Sequence, residues 1–295
     1  MPKLSLTGLG VALITPFKED GSVDYEALER LVDFQLDNGT DYIVALGTTA
    51  ETPTLTGQEK HDVVDAVVKR VDGRVPVVMG LGGNNTKALA DELKNSNFEG
   101  ISAILSVTPY YNKPTQEGLF QHYKALSDVS PLPVVLYNVP GRTGVNMTAE
   151  TTLRIARECD KVVAIKEASG NLNQIRDIIV HAPEGFQVIS GDDSVTSTVI
   201  EMGGVGVISV FANAYPKEMA WLVDRSLNGE AQLAREKMDN DYDNMFNLMF
   251  VEGNPAGVKS LLSQKGMISN VLRLPLTPVS EATAKLIAEE LSKFE

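Results

Sequence analysis

Short, almost unbroken apolar runs alternate along the chain with longer segments in which apolar residues recur every three or four positions. Eight such runs, at 10–15, 42–47, 75–80, 101–107, 133–137, 162–166, 186–190 and 205–210, are rich in Val and Ile. Strands buried on both faces read this way, because neither face meets water. The stretch 8–17 reads as the first of them. Between the runs, Leu28, Leu31, Val32 and Gln35 fall at helical spacing, as do Val63, Val64, Val67 and Val68. Thr56 with Glu59 predicts a capping box at a helix start after the second run, and Asn171 with Gln174 predicts another after the sixth. Gly73, Gly100, Pro131, Pro183 and Gly203 punctuate the joints.

Strand then helix, eight times at about 28 residues per unit, predicts a closed (β/α)8 barrel, the TIM-barrel architecture of the α/β class. An open doubly wound sheet is the alternative, but its early Gly-rich phosphate turn is missing: residues 80–84 read Gly-Leu-Gly-Gly-Asn, not GxGxxG. The strand signal stops near Ser226. Residues 231–250, 255–263 and 280–294 then read as helices, so 1–225 is expected to form the catalytic barrel and 226–295 a C-terminal helical region packed on it.

Composition narrows the function. The chain has 295 residues and a formal net charge of −13. That field repels duplexes and anionic membranes, so neither nucleic acid nor membrane is an expected partner. No run approaches the roughly 20 apolar residues of a membrane span. Lys3 followed by the apolar stretch 4–14 faintly suggests a leader, but Thr7, Gly8 and Gly10 interrupt it and no small-x-small site follows. A cytoplasmic location is expected. The single cysteine, Cys159, reads as a small buried apolar residue.

Catalytic groups in such barrels project from the C-terminal ends of the strands. The strongest signal there is Lys166, which ends the apolar run Val162-Val163-Ala164-Ile165. Strand alternation puts it on one face with Val162 and Ala164. If that face looks into the barrel, apolar walls favour the neutral amine, the form that attacks a ketone to give an imine. A strand-end lysine that reaches solvent or pairs with Glu167 is the competing reading. Tyr137 ends the preceding strand and is placed to move protons, with Thr48 able to pass them on. Backbone amides around Thr48 and Thr49 could hold one carboxylate, and Arg142, in a Pro-Gly-Arg-Thr-Gly loop, could clamp a second. The three histidines, His61, His122 and His181, all fall in helical segments without ligand spacing, so a metal-dependent aldolase is disfavoured and no metal is expected. Asp192-Asp193 reads as a cap for the following helix.

Four strand-end motifs, Gly-Thr-Thr-Ala-Glu at 47–51, Thr-Pro-Tyr-Tyr-Asn at 108–112, Leu-Tyr-Asn-Val-Pro-Gly-Arg-Thr-Gly at 136–144 and Ile-Lys-Glu-Ala-Ser-Gly at 165–170, resemble those of the dihydrodipicolinate synthase (4-hydroxy-tetrahydrodipicolinate synthase) family, in the superfamily that also holds N-acetylneuraminate lyase. The resemblance runs from the first strand into the helical tail. It implies a lyase of lysine and diaminopimelate biosynthesis without a cofactor. Lys166 would form a Schiff base with pyruvate, and the enamine would attack L-aspartate 4-semialdehyde. Tyr137, Thr48 and Tyr111 would form the proton relay, with Tyr111 crossing from a neighbouring subunit of a dimer or homotetramer. Thr48 and Thr49 would hold the pyruvate carboxylate, Arg142 the semialdehyde carboxylate, and Gly191 and Ile208 would contribute backbone contacts. Neuraminate lyases and other keto-sugar-acid aldolases are the alternative; Arg142 and the Tyr110-Tyr111 pair speak for the synthase. A barrel that only senses a small acid would be expected to lose Lys166 or Tyr137, and a pyridoxal-phosphate enzyme should show a phosphate cup.

The chain departs from the pattern at Ala50, where glycine is usual, and at Ser169, where threonine is common. Many members also carry a histidine at the position of Lys60 and a glutamate at that of Ala88 in a lysine-feedback site. Ala88 offers no anion to an effector's ammonium and Lys60 repels it, so weak or absent inhibition by millimolar L-lysine is expected.

Overall fold

The computed structural model describes residues 4–294; Lys3 and the outermost ends of the two expected regions lie outside it. Eight strands, β1 (Gly8–Ala12), β2 (Tyr42–Ala45), β3 (Val77–Gly80), β4 (Ala103–Val107), β5 (Val134–Asn138), β6 (Val162–Glu167), β7 (Gln187–Ser190) and β8 (Gly206–Ser209), pair in chain order and close on themselves, every pairing parallel. Each expected strand is present. The first is shorter than expected: it ends at Ala12, and the rest of 8–17 runs on as buried irregular chain.

Alternation sorts the side chains into two apolar layers. Ala12, Tyr42, Val44, Val78, Ala103, Leu105, Val135, Tyr137, Ala164, Ile189 and Ile208 fill the barrel. The opposite faces join a larger cluster, from Leu9 to Leu291, shared between the strands, the surrounding helices and the C-terminal region. Tyr42 is, with Tyr137, the bulkiest of the inner group and the more deeply buried of the two. It fits because Gly10 on the next strand has no side chain; a Cβ there would lie 2.2 Å from the Tyr42 ring. The Tyr42 hydroxyl donates to the Val207 carbonyl at 3.2 Å, giving the buried phenol its partner.

Strand β6 corrects the simple alternation. Its pairing with β5 passes from Val134↔Val162 directly to Val135↔Ala164, so Val163 is an extra residue, a bulge. Val162 therefore joins the outer cluster, not the face of Lys166. Ala164 and Lys166, beyond the bulge, keep the expected common face.

The outer helices start where the sequence offers caps. Thr56 and Glu59 form the reciprocal capping box of the helix Gly57–Val71. At Leu172–His181 the Asn171 side chain accepts from the Asn173 and Gln174 amides, but the Gln174 side chain does not return to the cap; it turns inward to Glu167, at 3.1 Å. His61 and His181 are exposed on helices, whereas His122 is buried with its Nδ1 2.8 Å from the Thr86 hydroxyl. Cys159 is buried, as expected. No helix among the described residues is long and apolar enough to cross a membrane.

After the helix Pro216–Leu227, the helices Ala231–Lys237, Asp243–Phe250, Ala256–Gln264 and Glu281–Leu291 follow. A π turn, Met238–Tyr242, interrupts the segment expected as one helix over 231–250. These helices dock through rings: Phe211, just after β8, meets Tyr215, Tyr242 and Phe246 at centroid distances of 5.0, 5.3 and 4.8 Å, and Phe294 stacks on Tyr242. Between two of them the chain returns to the C-terminal end of the barrel at Asn254.

Candidate active site

The residues expected to act converge on that end. Lys166 and Tyr137 are partners across β5 and β6. Both are buried, and the Lys166 Nζ stands 4.6 Å from the centre of the Tyr137 ring. Among the described residues Lys166 makes no ion pair. Glu167 is not its counter-ion: as the next residue along the strand it points the other way, into the layer between barrel and helices. Burial pushes the Glu167 carboxyl up from its usual range, opposed by hydrogen bonds from Asn138, Ser169 and Gln174.

A cavity of about 420 Å³ opens at the ends of β2 to β5, with Thr48, Tyr137, Arg142, Val107, Tyr110 and Asn254 on its wall. Lys166 meets this wall through Tyr137. Thr48 leads the 3-10 turn Thr48–Ala50, which is bracketed by two residues in the left-handed region, Leu46 at φ 55° and Glu51 at φ 53°. Neither is glycine, so the conformation costs energy that the surroundings must supply. Gly80 leaves the room: a Cβ there would lie 2.1 Å from the Leu46 carbonyl oxygen. On the far side Glu51 is pinned by Lys259 and by the backbone amide of Arg273.

Thr49 turns away from the cavity. It is buried, and its hydroxyl accepts from the Asn254 side-chain amide at 2.9 Å. Arg142 lies in the helical turn Pro140–Thr143, and its Nη2 donates to the Asn254 carbonyl at 3.2 Å. One asparagine thus holds both elements expected to bind carboxylates. Sequence reading did not single it out, because nothing local marks a residue whose partners lie 205 and 112 positions away.

The other expected residues are placed as follows. Ile208 lies inside the barrel with Tyr137 and Ala164. Gly191 packs on β6, donating its amide to the Glu167 carbonyl, and a Cβ there would meet Ala168 at 2.6 Å. Tyr111 is not brought to the site within the chain. It stands in a loop with φ 73° and is 88% exposed, while its neighbour Tyr110 lines the cavity. The Asp192-Asp193 pair does not cap the following helix, Thr196–Glu201, whose first turn has no side-chain cap. Asp193 is buried and accepts from the Val210 and Phe211 amides, fixing the turn after β8; burial raises its carboxyl to about 6.

The arrangement, a buried lysine beside a tyrosine with an arginine and a hydroxyl turn above, suits imine chemistry on a small acid. Known proteins agree. The sequence model of the dihydrodipicolinate synthetase family matches residues 5–294. A 4-hydroxy-tetrahydrodipicolinate synthase of Parabacteroides distasonis is 59% identical over 294 residues, covering 100% of this chain and 99% of that one. The crystal structure of the dihydrodipicolinate synthase of Thermotoga maritima superposes with a TM-score of 0.94 at 43% identity, over 97% of this chain and 98% of that one. That of the Acinetobacter baumannii enzyme, described as chloride-inhibited and complexed with pyruvate, gives 0.94 at 38% identity over 98% of both. The chain belongs to the dihydrodipicolinate synthetase family.

Proposed function

We propose that the protein condenses pyruvate with L-aspartate 4-semialdehyde, the 4-hydroxy-tetrahydrodipicolinate synthase reaction of lysine and diaminopimelate biosynthesis. The observation that carries this reading is the buried Lys166–Tyr137 pair at the C-terminal end of a closed barrel, in a family whose relatives bear that name. The Lys166 amine attacks the keto carbon of pyruvate, and loss of water gives the imine. Removal of a methyl proton gives the enamine, whose carbon attacks the semialdehyde carbonyl. The amino group of the semialdehyde portion then displaces Lys166, closing the ring and freeing the enzyme. Tyr137 moves protons in these steps and Thr48 relays them. Thr48 and the amides of its turn hold the pyruvate carboxylate, Arg142 meets that of the semialdehyde, and Gly191 and Ile208 contribute backbone contacts. The exposure of Tyr111 supports a site completed by Tyr111 from a second copy, hence a homo-oligomer, which we place as a tetramer in the cytoplasm.

The test is pyruvate consumption with and without the semialdehyde, with Lys166→Ala as control. Consumption requiring both the semialdehyde and Lys166 is expected. A folded wild-type protein that consumes no pyruvate would overturn the reading.

A further inference from the structure

Glu167 is a charged group that the mechanism above does not use, and its surroundings are unusual. The residue is 1% exposed, and among the described residues it makes no ion pair. A carboxylate out of water without a counter-ion is costly unless hydrogen bonds replace its hydration. Here they do so: Asn138 Nδ2 lies 3.1 Å from both oxygens, Gln174 Nε2 donates at 3.1 Å and the Ser169 backbone amide at 2.8 Å, and the Ser169 hydroxyl is a further partner. The donors are tied together in turn. Asn138 Nδ2 also reaches Asn146 Oδ1 at 2.8 Å, Asn138 Oδ1 accepts from the Met147 amide at 3.0 Å, and Asn146 Nδ2 donates to Gln174 Oε1 at 2.8 Å. Glu167 is thus the common acceptor joining β5, β6 and the helix Leu172–His181, and the 146–147 loop is tied in through Asn138 and Gln174.

Its place in the register gives this network its consequence. Asn138↔Glu167 is the rung immediately after Tyr137↔Lys166. Successive residues face opposite sides of a sheet, so a clamp on the outer rung sets how the inner rung points into the barrel. The clamp is needed here because the bulge at Val163 breaks the regular pairing only three residues before Lys166. We infer that Glu167 and Asn138 are positioning residues, which hold the Lys166 amine and the Tyr137 hydroxyl in the alignment that proton transfer at the imine requires. The inference rests on the imine reading above. Misplacing reacting groups by a fraction of an ångström is enough to slow such a step.

Glu167→Gln tests it, since the amide keeps the size but turns two acceptor oxygens into one acceptor and one donor facing other donors. Two readouts separate positioning from simple stability. One is kcat and KM in the complete reaction. The other is exchange of the pyruvate methyl protons with D2O in the absence of semialdehyde, which reports imine and enamine formation alone. The expected result is a tenfold or greater fall (about 10-fold at least, the scale of a lost alignment) in both kcat and exchange rate, with pyruvate KM within about twofold and a folded protein by circular dichroism. Should Glu167→Gln not fold, Gln174→Ala removes one donor at the half-buried rim and is expected to slow exchange a few-fold at constant KM. Exchange and kcat equal to wild type in the folded variant, or a rise in KM alone, would overturn the inference. Wild-type protein that neither exchanges nor consumes pyruvate would instead overturn the imine reading itself, so the two failures are distinct.

Discussion

Lys259 and Glu51 form an ion pair at 2.5 Å with neither side chain exposed to solvent. The ammonium also donates to the Val271 carbonyl at 3.0 Å and stands 4.1 Å from the centre of the Phe17 ring. The pair fastens a C-terminal helix, Ala256–Gln264, to the turn that carries Thr48. Removing one partner strands the other charge in the interior, which costs roughly 3–5 kcal/mol. Lys259→Met is therefore expected to lose about that much stability in urea denaturation, and Lys259→Met/Glu51→Gln less than the two single losses added, because the stranded charge is gone. A single variant within about 1 kcal/mol of wild type would show that the pair is not the fastening.

Asn254 makes a second link between that region and the site, and a more selective one. Its side chain holds Thr49 and its carbonyl holds Arg142. Asn254→Ala deletes the side-chain amide that holds Thr49, while the backbone carbonyl that accepts from Arg142 remains. Pyruvate KM is therefore expected to rise up to about tenfold, roughly one hydrogen bond's worth, with the semialdehyde KM changed less. Steady-state kinetics with each substrate varied in turn check this; equal effects on both substrates would mean that Asn254 only holds the fold together.

What sequence made legible and what it did not follow one division. The barrel was legible because eight apolar runs and their intervening helical patterns are local signals, and Lys166 stood out as a charge interrupting one of them. The side of Val162 was misread because a bulge inserts a residue without any mark in the pattern, and only the pairing with β5 reveals it. Gln174 was expected at a cap; its spacing from Asn171 was right, but a buried carboxylate on β6 offers a stronger acceptor than an exposed backbone amide offers a donor. Asp193 likewise serves two amides after β8, a neighbour brought near only by the closed barrel. Asn254, Lys259 and Glu167 act through partners that are remote or tertiary, and their residue types alone say nothing of it.

Acidification should weaken the fold in part through His122. Burial pulls its imidazole down to about 4 from an ordinary 6.5, so it stays neutral in the folded protein while the unfolded chain protonates. Between those values the unfolded state binds more protons, and stability falls as pH drops from 6.5 toward 4. The contribution is on the order of 3 kcal/mol across the whole window. Asp193, raised to about 6, has the opposite sign, since its folded form holds the proton over the same range. Comparing wild type with His122→Gln by denaturation at several pH values isolates the imidazole: the variant should show a shallower loss on acidification. Parallel curves would reject it.

Barrel closure depends on an absent side chain at Gly206. Its φ is 153°, and a Cβ there would lie 2.0 Å from the Gly8 carbonyl oxygen and 2.8 Å from the Gly8 amide nitrogen. These are backbone atoms of the pairing partner on β1, so no rotamer change relieves the contact. Gly206→Ala must open the β1–β8 seam, the last ladder that closes the barrel, and a loss above about 4 kcal/mol is expected. Gly57, the first residue of the helix Gly57–Val71, is the control: nothing lies within 4 Å of its would-be Cβ and its backbone is already helical. Gly57→Ala should match or exceed wild type, by up to about 1 kcal/mol, through the lost freedom of the unfolded chain. Thermal melts of the two variants side by side settle the point. A Gly206→Ala melting temperature within about 2 °C of wild type would mean that the seam tolerates a methyl group and that closure is set elsewhere.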